Sequence, residues 1–270
     1  MDSVTTISTK IKPVNRIKGP ACFLYVEDKG TGGLPVVFAH SFGGNTTHWK
    51  NQIEHLQSTR RVIAFDFRGH GKSDLPIDNN YSAEALAKDI AAIADSLGLD
   101  RFVLVGHSMG GSAAIAYAGS HSERLSGLVL EGAPGKSPAQ QSNQIISALE
   151  SDDYQKVMDD YMKQLLAGAR PAVASEINDG VKRISRENSV RIVKAMFEFD
   201  PIPELRKFNG PKLIIATTRE VEQPNSLPKL NPEVPRKTIE GTSHWIQLDK
   251  PDEFNKALDD FLKSIENELN

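Results

Sequence analysis

A serine, a carboxylate and a histidine, arriving in that order along the chain, have the types and spacing for acyl transfer. Ser108 is the centre of Gly106-His107-Ser108-Met109-Gly110, which follows the apolar run Phe102-Val103-Leu104-Val105 and precedes the small-residue run Ser112 to Ala118. Glycines two positions to either side permit a turn sharp enough to lift the serine Oγ clear of its neighbours, so Ser108 is the candidate nucleophile. A serine hydroxyl is a weak nucleophile near neutral pH and needs a base within hydrogen-bond reach, usually a histidine oriented by a carboxylate. Of seven histidines, His244 stands in Gly241-Thr242-Ser243-His244-Trp245, after the last short strand pattern and before the final helix. His40 and His107 flank other site elements, whereas His48, His55, His70 and His121 read as turn-shaping or solvated.

The carboxylate belongs between Ser108 and His244, at a strand end. Reading Pro211 to Glu220 as a strand followed by a loop puts Glu220 just past the strand. Glu222, two residues later, and Glu131, closing Leu128-Val129-Leu130, stay open as alternatives. Acyl transfer also needs N–H donors aimed at the developing oxyanion. His40-Ser41-Phe42-Gly43-Gly44 follows the strand Val36 to Ala39, which makes the N–H groups of Phe42 and Met109 the natural pair, Met109 lying at the positive end of the helix after the serine. The same segment lacks the Lys-Ser/Thr ending of a nucleotide phosphate loop.

Positioning these groups takes an ordered scaffold, and the sequence supplies its pattern. Cys22 to Val26, Val36 to Ala39, Val62 to Phe65, Phe102 to Val105, Leu128 to Leu130, Leu213 to Ala216 and Lys237 to Ile239 are strand-sized. Between the third and fourth, Leu86, Ile90, Ile93, Ala94 and Leu97 form a helical apolar stripe stopped by Gly98. Repeated strand, helix, strand units predict an α/β fold with a mostly parallel, doubly wound sheet flanked by helices, the first strand pairing antiparallel. After Pro134 about seventy residues carry helical patterns alone. Residues 1–134 and 207–270 therefore read as the core, and 135–206 as a helical lid over the carboxyl ends of the strands. Met158, Tyr161 and Met162 read as packing of that lid, and Phe254, Leu258, Phe261, Leu262 and Ile265 as the buried face of a closing helix.

Composition narrows the partners. A chain of 270 residues with a net charge of −3 and interleaved basic and acidic residues carries no stripe for nucleic acid. The single cysteine, Cys22, excludes an intramolecular disulfide and a multi-cysteine metal cluster. No metal or cofactor is expected, and the partner is a small-molecule substrate. Met1 to Thr6 has no cationic start followed by an apolar stretch, and no run approaches the ~20 residues of a membrane span, so the expected location is the cytoplasm. A homodimer is left open, with no sequence feature behind it.

With these residues in place the chain resembles the α/β-hydrolase family, in its serine-nucleophile esterase and lactonase branch. The resemblance runs from His40-Ser41-Phe42-Gly43-Gly44 through Asp66-Phe67-Arg68-Gly69-His70-Gly71-Lys72-Ser73 and the serine motif to Gly241-Thr242-Ser243-His244. It implies a cofactor-free hydrolase in which His244 takes the Ser108 proton and later activates water, with the Asp66 to Ser73 segment as scaffold. Three residues depart from the family pattern: Ser41 where the oxyanion loop usually has a glycine, Thr217 where the strand usually ends in glycine, and Glu220 where Asp is usual. A serine at the elbow argues against the branches that use a carboxylate nucleophile. The expected substrate is a small, largely uncharged ester or lactone. Carbon–carbon bond hydrolysis, with Arg170, Arg183, Arg186 or Arg191 holding a substrate carboxylate, and cofactor-free haloperoxidase chemistry use the same triad. A non-catalytic ligand-binding protein that kept the fold is the reading from another class.

Overall fold

The computed structural model describes residues 15–269. Met1 to Thr6, read above for targeting signals, lies outside the described residues. The strands are β1 (Arg16–Lys18), β2 (Phe23–Lys29), β3 (Val36–Ala39), β4 (Val62–Phe65), β5 (Phe102–His107), β6 (Leu125–Glu131), β7 (Lys212–Ala216) and β8 (Arg236–Thr238). They form one sheet in the order β1-β2-β4-β3-β5-β6-β7-β8. From β4 to β8 every pairing is parallel, while β2 is antiparallel to both β1 and β4.

Uninterrupted apolar strands make sense in a sheet covered on both faces. Alternate residues of β3 go to opposite sides: Val37 and Ala39 join Ile63, Phe65 and Leu104 in one core, and Val36 and Phe38 join Val62, Ala64 and Val105 in the other. The first core is covered by α2 (Ala83–Ser96) and α3 (Met109–Ser120), and the second by α1 (Lys50–Leu56) and by the residues Phe254, Leu258, Leu262 and Ile265 of a closing helix. Ser82 caps α2, its side chain accepting from the Ala85 N–H, and Gly98 follows its end at φ +62°.

Between β6 and β7 the chain makes helices only: α4 (Ala139–Glu150), α5 (Tyr154–Leu165), α6 (Pro171–Lys182), α7 (Arg186–Glu198) and α8 (Pro201–Lys207). Helix α8 packs against α3, one of the helices covering the sheet. Four helices follow: α9 (Thr218–Glu222), α10 (Leu227–Leu230), α11 (Ile246–Asp249) and α12 (Pro251–Leu269). No helix among the described residues is long and apolar enough to cross a membrane.

The turn after β4 braces the loop after β3. Asp66 accepts hydrogen bonds from the Thr46 and Lys72 N–H groups, both at 2.7 Å, and the Phe67 N–H donates to His40 Nε2 at 3.0 Å. Buried Arg68 grips buried Asp89 of α2 with two hydrogen bonds. His48 and His70, read from sequence as solvated or turn-shaping, are both buried, as are His40 and His107. His55 is exposed and His121 half-buried, paired with Asp259 and Ser120 respectively.

Burial holds the His48 and His70 rings at about 4, and those of His40 and His107 well below 6.5. As pH falls below 6.5 the unfolded chain takes up protons on these four rings that the folded chain cannot accept. Their stabilising contribution is therefore complete above pH 6.5 and lost as pH falls toward 4. Asp66, raised by burial to about 6, and Asp89 and Glu131, also raised by burial, act in the opposite sense and are fewer. Urea unfolding should show stability declining from pH 7 to pH 5.5; a flat or rising profile would contradict this account.

Candidate functional site

Ser108 sits between the end of β5 and the start of α3 with φ +53° and ψ −114°, a backbone conformation rare for a residue with a side chain. Its N–H is held by the Glu131 carbonyl at 2.9 Å, and its own carbonyl accepts the Ser112 N–H of α3 at 3.1 Å. What makes the turn feasible is Gly110. A Cβ there would lie 2.4 Å from the Ala39 carbonyl oxygen and 2.6 Å from that of His40. The start of α3 thereby comes down onto the end of β3, bringing the Met109 N–H and the Ser41 to Gly44 loop to one place. Neither the Phe42 nor the Met109 N–H donates to a protein acceptor among the described residues.

His244 occupies the loop between β8 and α11. Its Nδ1–H donates to Glu220 Oε1 at 2.5 Å, which leaves Nε2 as the acceptor nitrogen. Nε2 is buried and has no hydrogen-bond partner among the described residues, Ser108 included. Such contacts commonly tighten only when substrate is bound. The His244 ring lies against Gly132, which directly follows Glu131, the residue holding the Ser108 N–H.

Glu220 does not lie on a loop as the sequence reading had it. It is the third residue of α9, in a reciprocal cap with Thr217: the Thr217 side chain accepts the Glu220 N–H, and Glu220 Oε2 accepts the Thr217 N–H at 2.8 Å and its hydroxyl at 3.1 Å. One carboxylate oxygen thus holds the helix and the other faces His244. Burial pushes the Glu220 carboxyl up, but the His244 hydrogen bond and charge and the two Thr217 donors outweigh it, and the carboxyl stays below its ordinary value. Glu222 is exposed on the same helix and makes no contact with His244. Glu131 is fully buried, its Oε1 accepts the Gln247 N–H at 3.1 Å, and burial drives its carboxyl well above the ordinary range. Of the three carboxylates, Glu220 is the one that a hydrogen bond joins to His244 among the described residues.

Several residues here carried no readable sequence signal. Gly132 has φ +50°, and a Cβ on it would stand 2.6 Å from His244 Cε1 and 3.1 Å from Glu220 Oε1. Asp249 of α11 accepts the Ser243 N–H at 2.9 Å and its hydroxyl at 2.5 Å, and its other oxygen accepts the Arg170 N–H at 2.9 Å. The His244 N–H itself donates to Leu165 O at the end of α5, at 3.0 Å. Ser41 Oγ accepts the Trp245 indole N–H at 3.1 Å.

The surroundings are apolar. Phe42 and Met109 belong to the same buried cluster as Leu149, Met158 and Ile192 of the intervening helices, while Met162, Val173 and Ile177 pack with Trp245 and Leu248. Four arginines of this region face elsewhere: Arg170 donates to Leu248 O, Arg186 to Ser151 O, Arg191 to Glu187, and Arg183 is exposed. The site is closed, with Ser108 6% and His244 9% exposed. A groove of about 830 Å³ lined by Lys212, Glu233, Arg236 and Phe261 includes none of these residues.

Known proteins share this arrangement of elements. The model of the alpha/beta hydrolase fold family matches residues 35–177, more than half of the chain. A thermophilic esterase from Thermogutta terrifontis superposes with a TM-score of 0.78 at 25% identity, covering 93% of this chain and 98% of that one. The sn-1-specific diacylglycerol lipase ABHD11 of Mus musculus is 27% identical over 255 residues, 86% of this chain and 82% of the lipase. The dihydrolipoyllysine-residue acetyltransferase component of the acetoin cleaving system of Pseudomonas putida is 26% identical over 87% of this chain, which spans 65% of that protein's length. A mostly parallel sheet in this strand order, a serine with positive φ at the β5 to α3 turn and a match over more than half of the chain lead to one conclusion: the chain belongs to the alpha/beta hydrolase fold family.

Proposed function

We propose that the chain is a serine hydrolase cleaving a small, largely uncharged carboxylic ester or lactone through an acyl-enzyme on Ser108. The observation that carries this reading is the His244 ring, fixed at Nδ1 by Glu220 at 2.5 Å and carrying a buried, unpartnered Nε2, in a chain whose Ser108 holds a positive φ. Ser108 Oγ attacks the substrate carbonyl carbon while its proton passes to His244 Nε2. Glu220 stabilises the imidazolium that forms. The Phe42 and Met109 N–H groups take the oxyanion, a contact stronger in the transition state than in the ground state. Collapse expels the alkoxide, which takes the proton from His244. Water then enters, gives a proton to Nε2 and attacks the acyl carbon, and Ser108 leaves with that proton.

The surroundings support the substrate class. Phe42 and Met109 are apolar and buried, and Arg170, Arg186 and Arg191 are engaged with Leu248, Ser151 and Glu187. That favours an uncharged ester or lactone over a carbon–carbon hydrolase that must hold a carboxylate, and the esterase and lipase relatives point the same way. Helices α4 to α7, over residues 139–198, act as the lid that closes the site from water.

Hydrolysis of short and medium-chain aryl esters tests the proposal. Ser108→Ala should lower kcat/KM by about a thousandfold or more, and Glu220→Gln by on the order of 10²- to 10⁴-fold, because the amide cannot stabilise an imidazolium. Glu131→Gln, which keeps an oxygen to accept the Gln247 N–H, should cost less than about tenfold, close to one 1.4 kcal/mol step. Equal losses in the two Glu variants would overturn the assignment of the acid. Wild-type activity no higher than that of Ser108→Ala toward every ester would favour a ligand-binding role.

Gly132→Ala should lower kcat by about a hundredfold with little change in KM, since a displacement near 1 Å at the reacting groups costs about that much. Unchanged kcat would show that the His244 and Glu220 pair does not depend on this close approach.

A further inference from the structure

His107, beside the candidate nucleophile, is fully buried, yet both of its ring nitrogens are hydrogen-bonded. Nε2–H donates to the carbonyl of His244 at 3.0 Å, and Nδ1 accepts from the side-chain amide of Gln247 at 3.3 Å. Those two bonds fix the tautomer, because a carbonyl can only accept. We propose that His107 is a positioning residue that sets the separation of Ser108 and His244. The inference rests on the hydrolase reading above.

Ser108 is bonded covalently to His107, and the His107 ring holds the peptide of His244, so a single hydrogen bond joins nucleophile and base through one residue on the serine side. A second path runs beside it: Glu131 holds the Ser108 N–H with its carbonyl and the Gln247 N–H with its side chain. On its far side the His244 N–H is tied to Leu165, and its ring to Glu220. The base is thus held from three elements, but among the described residues only the His107 bond joins it directly to the serine elbow. Packing keeps the linkage dry: the His107 ring lies 4.8 Å from the His244 ring and edge-on to Trp49 and Trp245. Without the donor the His244 carbonyl loses its buried partner and the loop loses its reference to the elbow, while substrate-binding surfaces are untouched.

A purely structural histidine would affect folding alone, so the test reads chemistry. An alkyl fluorophosphonate modifies an activated serine, with kinact reporting reactivity and KI reporting binding. His107→Phe keeps the ring volume and removes both hydrogen bonds; kinact at Ser108 should fall tenfold or more with KI within twofold, on protein shown folded by its thermal midpoint. His107→Gln, which returns an N–H donor at the reach of Nε2, should recover most of that loss. Gln247→Leu, which leaves the elbow untouched, should slow kinact about threefold and serves if the phenylalanine variant fails to fold. Wild-type kinact in folded His107→Phe or in Gln247→Leu, or no recovery in His107→Gln, overturns the positioning role. A wild-type chain labelled no faster than Ser108→Ala overturns the hydrolase reading and this inference with it.

Discussion

The close approach of α3 to the end of β3 is the constraint on which the site depends. Gly110 packs its Cα against the carbonyls of Ala39 and His40, and no residue with a Cβ fits there. That contact forces the chain at Ser108 into a left-handed turn costing on the order of 1–3 kcal/mol, which the buried alanine-rich face of α3 offsets. Because the turn is imposed by packed elements on both sides, the serine cannot relax without unseating α3. Strain held in this way is a means of pre-organisation: under the proposed chemistry, the hydroxyl would be presented before substrate arrives, with the N-terminus of α3 turned to the developing negative charge.

The three departures from the family pattern each have a partner in the structure. Ser41 receives the Trp245 indole N–H, joining the loop after β3 to the residue after His244. Thr217 caps α9 and so fixes Glu220, and the longer reach of Glu suits a carboxylate projecting from the first turn of a helix. The substitutions therefore work together. Thr217 without Glu220 would leave the cap half made, and Glu220 without Thr217 would lose two of the donors that hold its charged form.

Legibility in the sequence followed the physics of each signal. Strands β3 and β4 have the predicted limits because two-sided burial writes a continuous apolar run between polar ends. Strand β1 was not readable: three residues, Arg16-Ile17-Lys18, pair at a sheet edge and bury Ile17 alone. Ser108 and His244 stand out in the sequence because turn and loop chemistry is local, and Glu220 because it follows a strand; the structure joins His244 to Glu220 by a hydrogen bond. The helix that carries Glu220 was read as a loop, since five residues are too short for periodicity to register. Gly132, Asp249 and the roles of His48 and His107 were invisible for a common reason. Each is defined by what touches it across the fold, and residue spacing along a chain holds no record of those contacts.

Trapping the acyl-enzyme tests the central claim most directly. The chain would be mixed with an aryl acetate, quenched in acid during the first turnover, digested and mapped by mass. The account predicts one acetyl group on the peptide containing Ser108, removable by hydroxylamine and missing from Ser108→Ala. Turnover of the ester with no acetyl on Ser108, or with the acetyl on another residue, would contradict it.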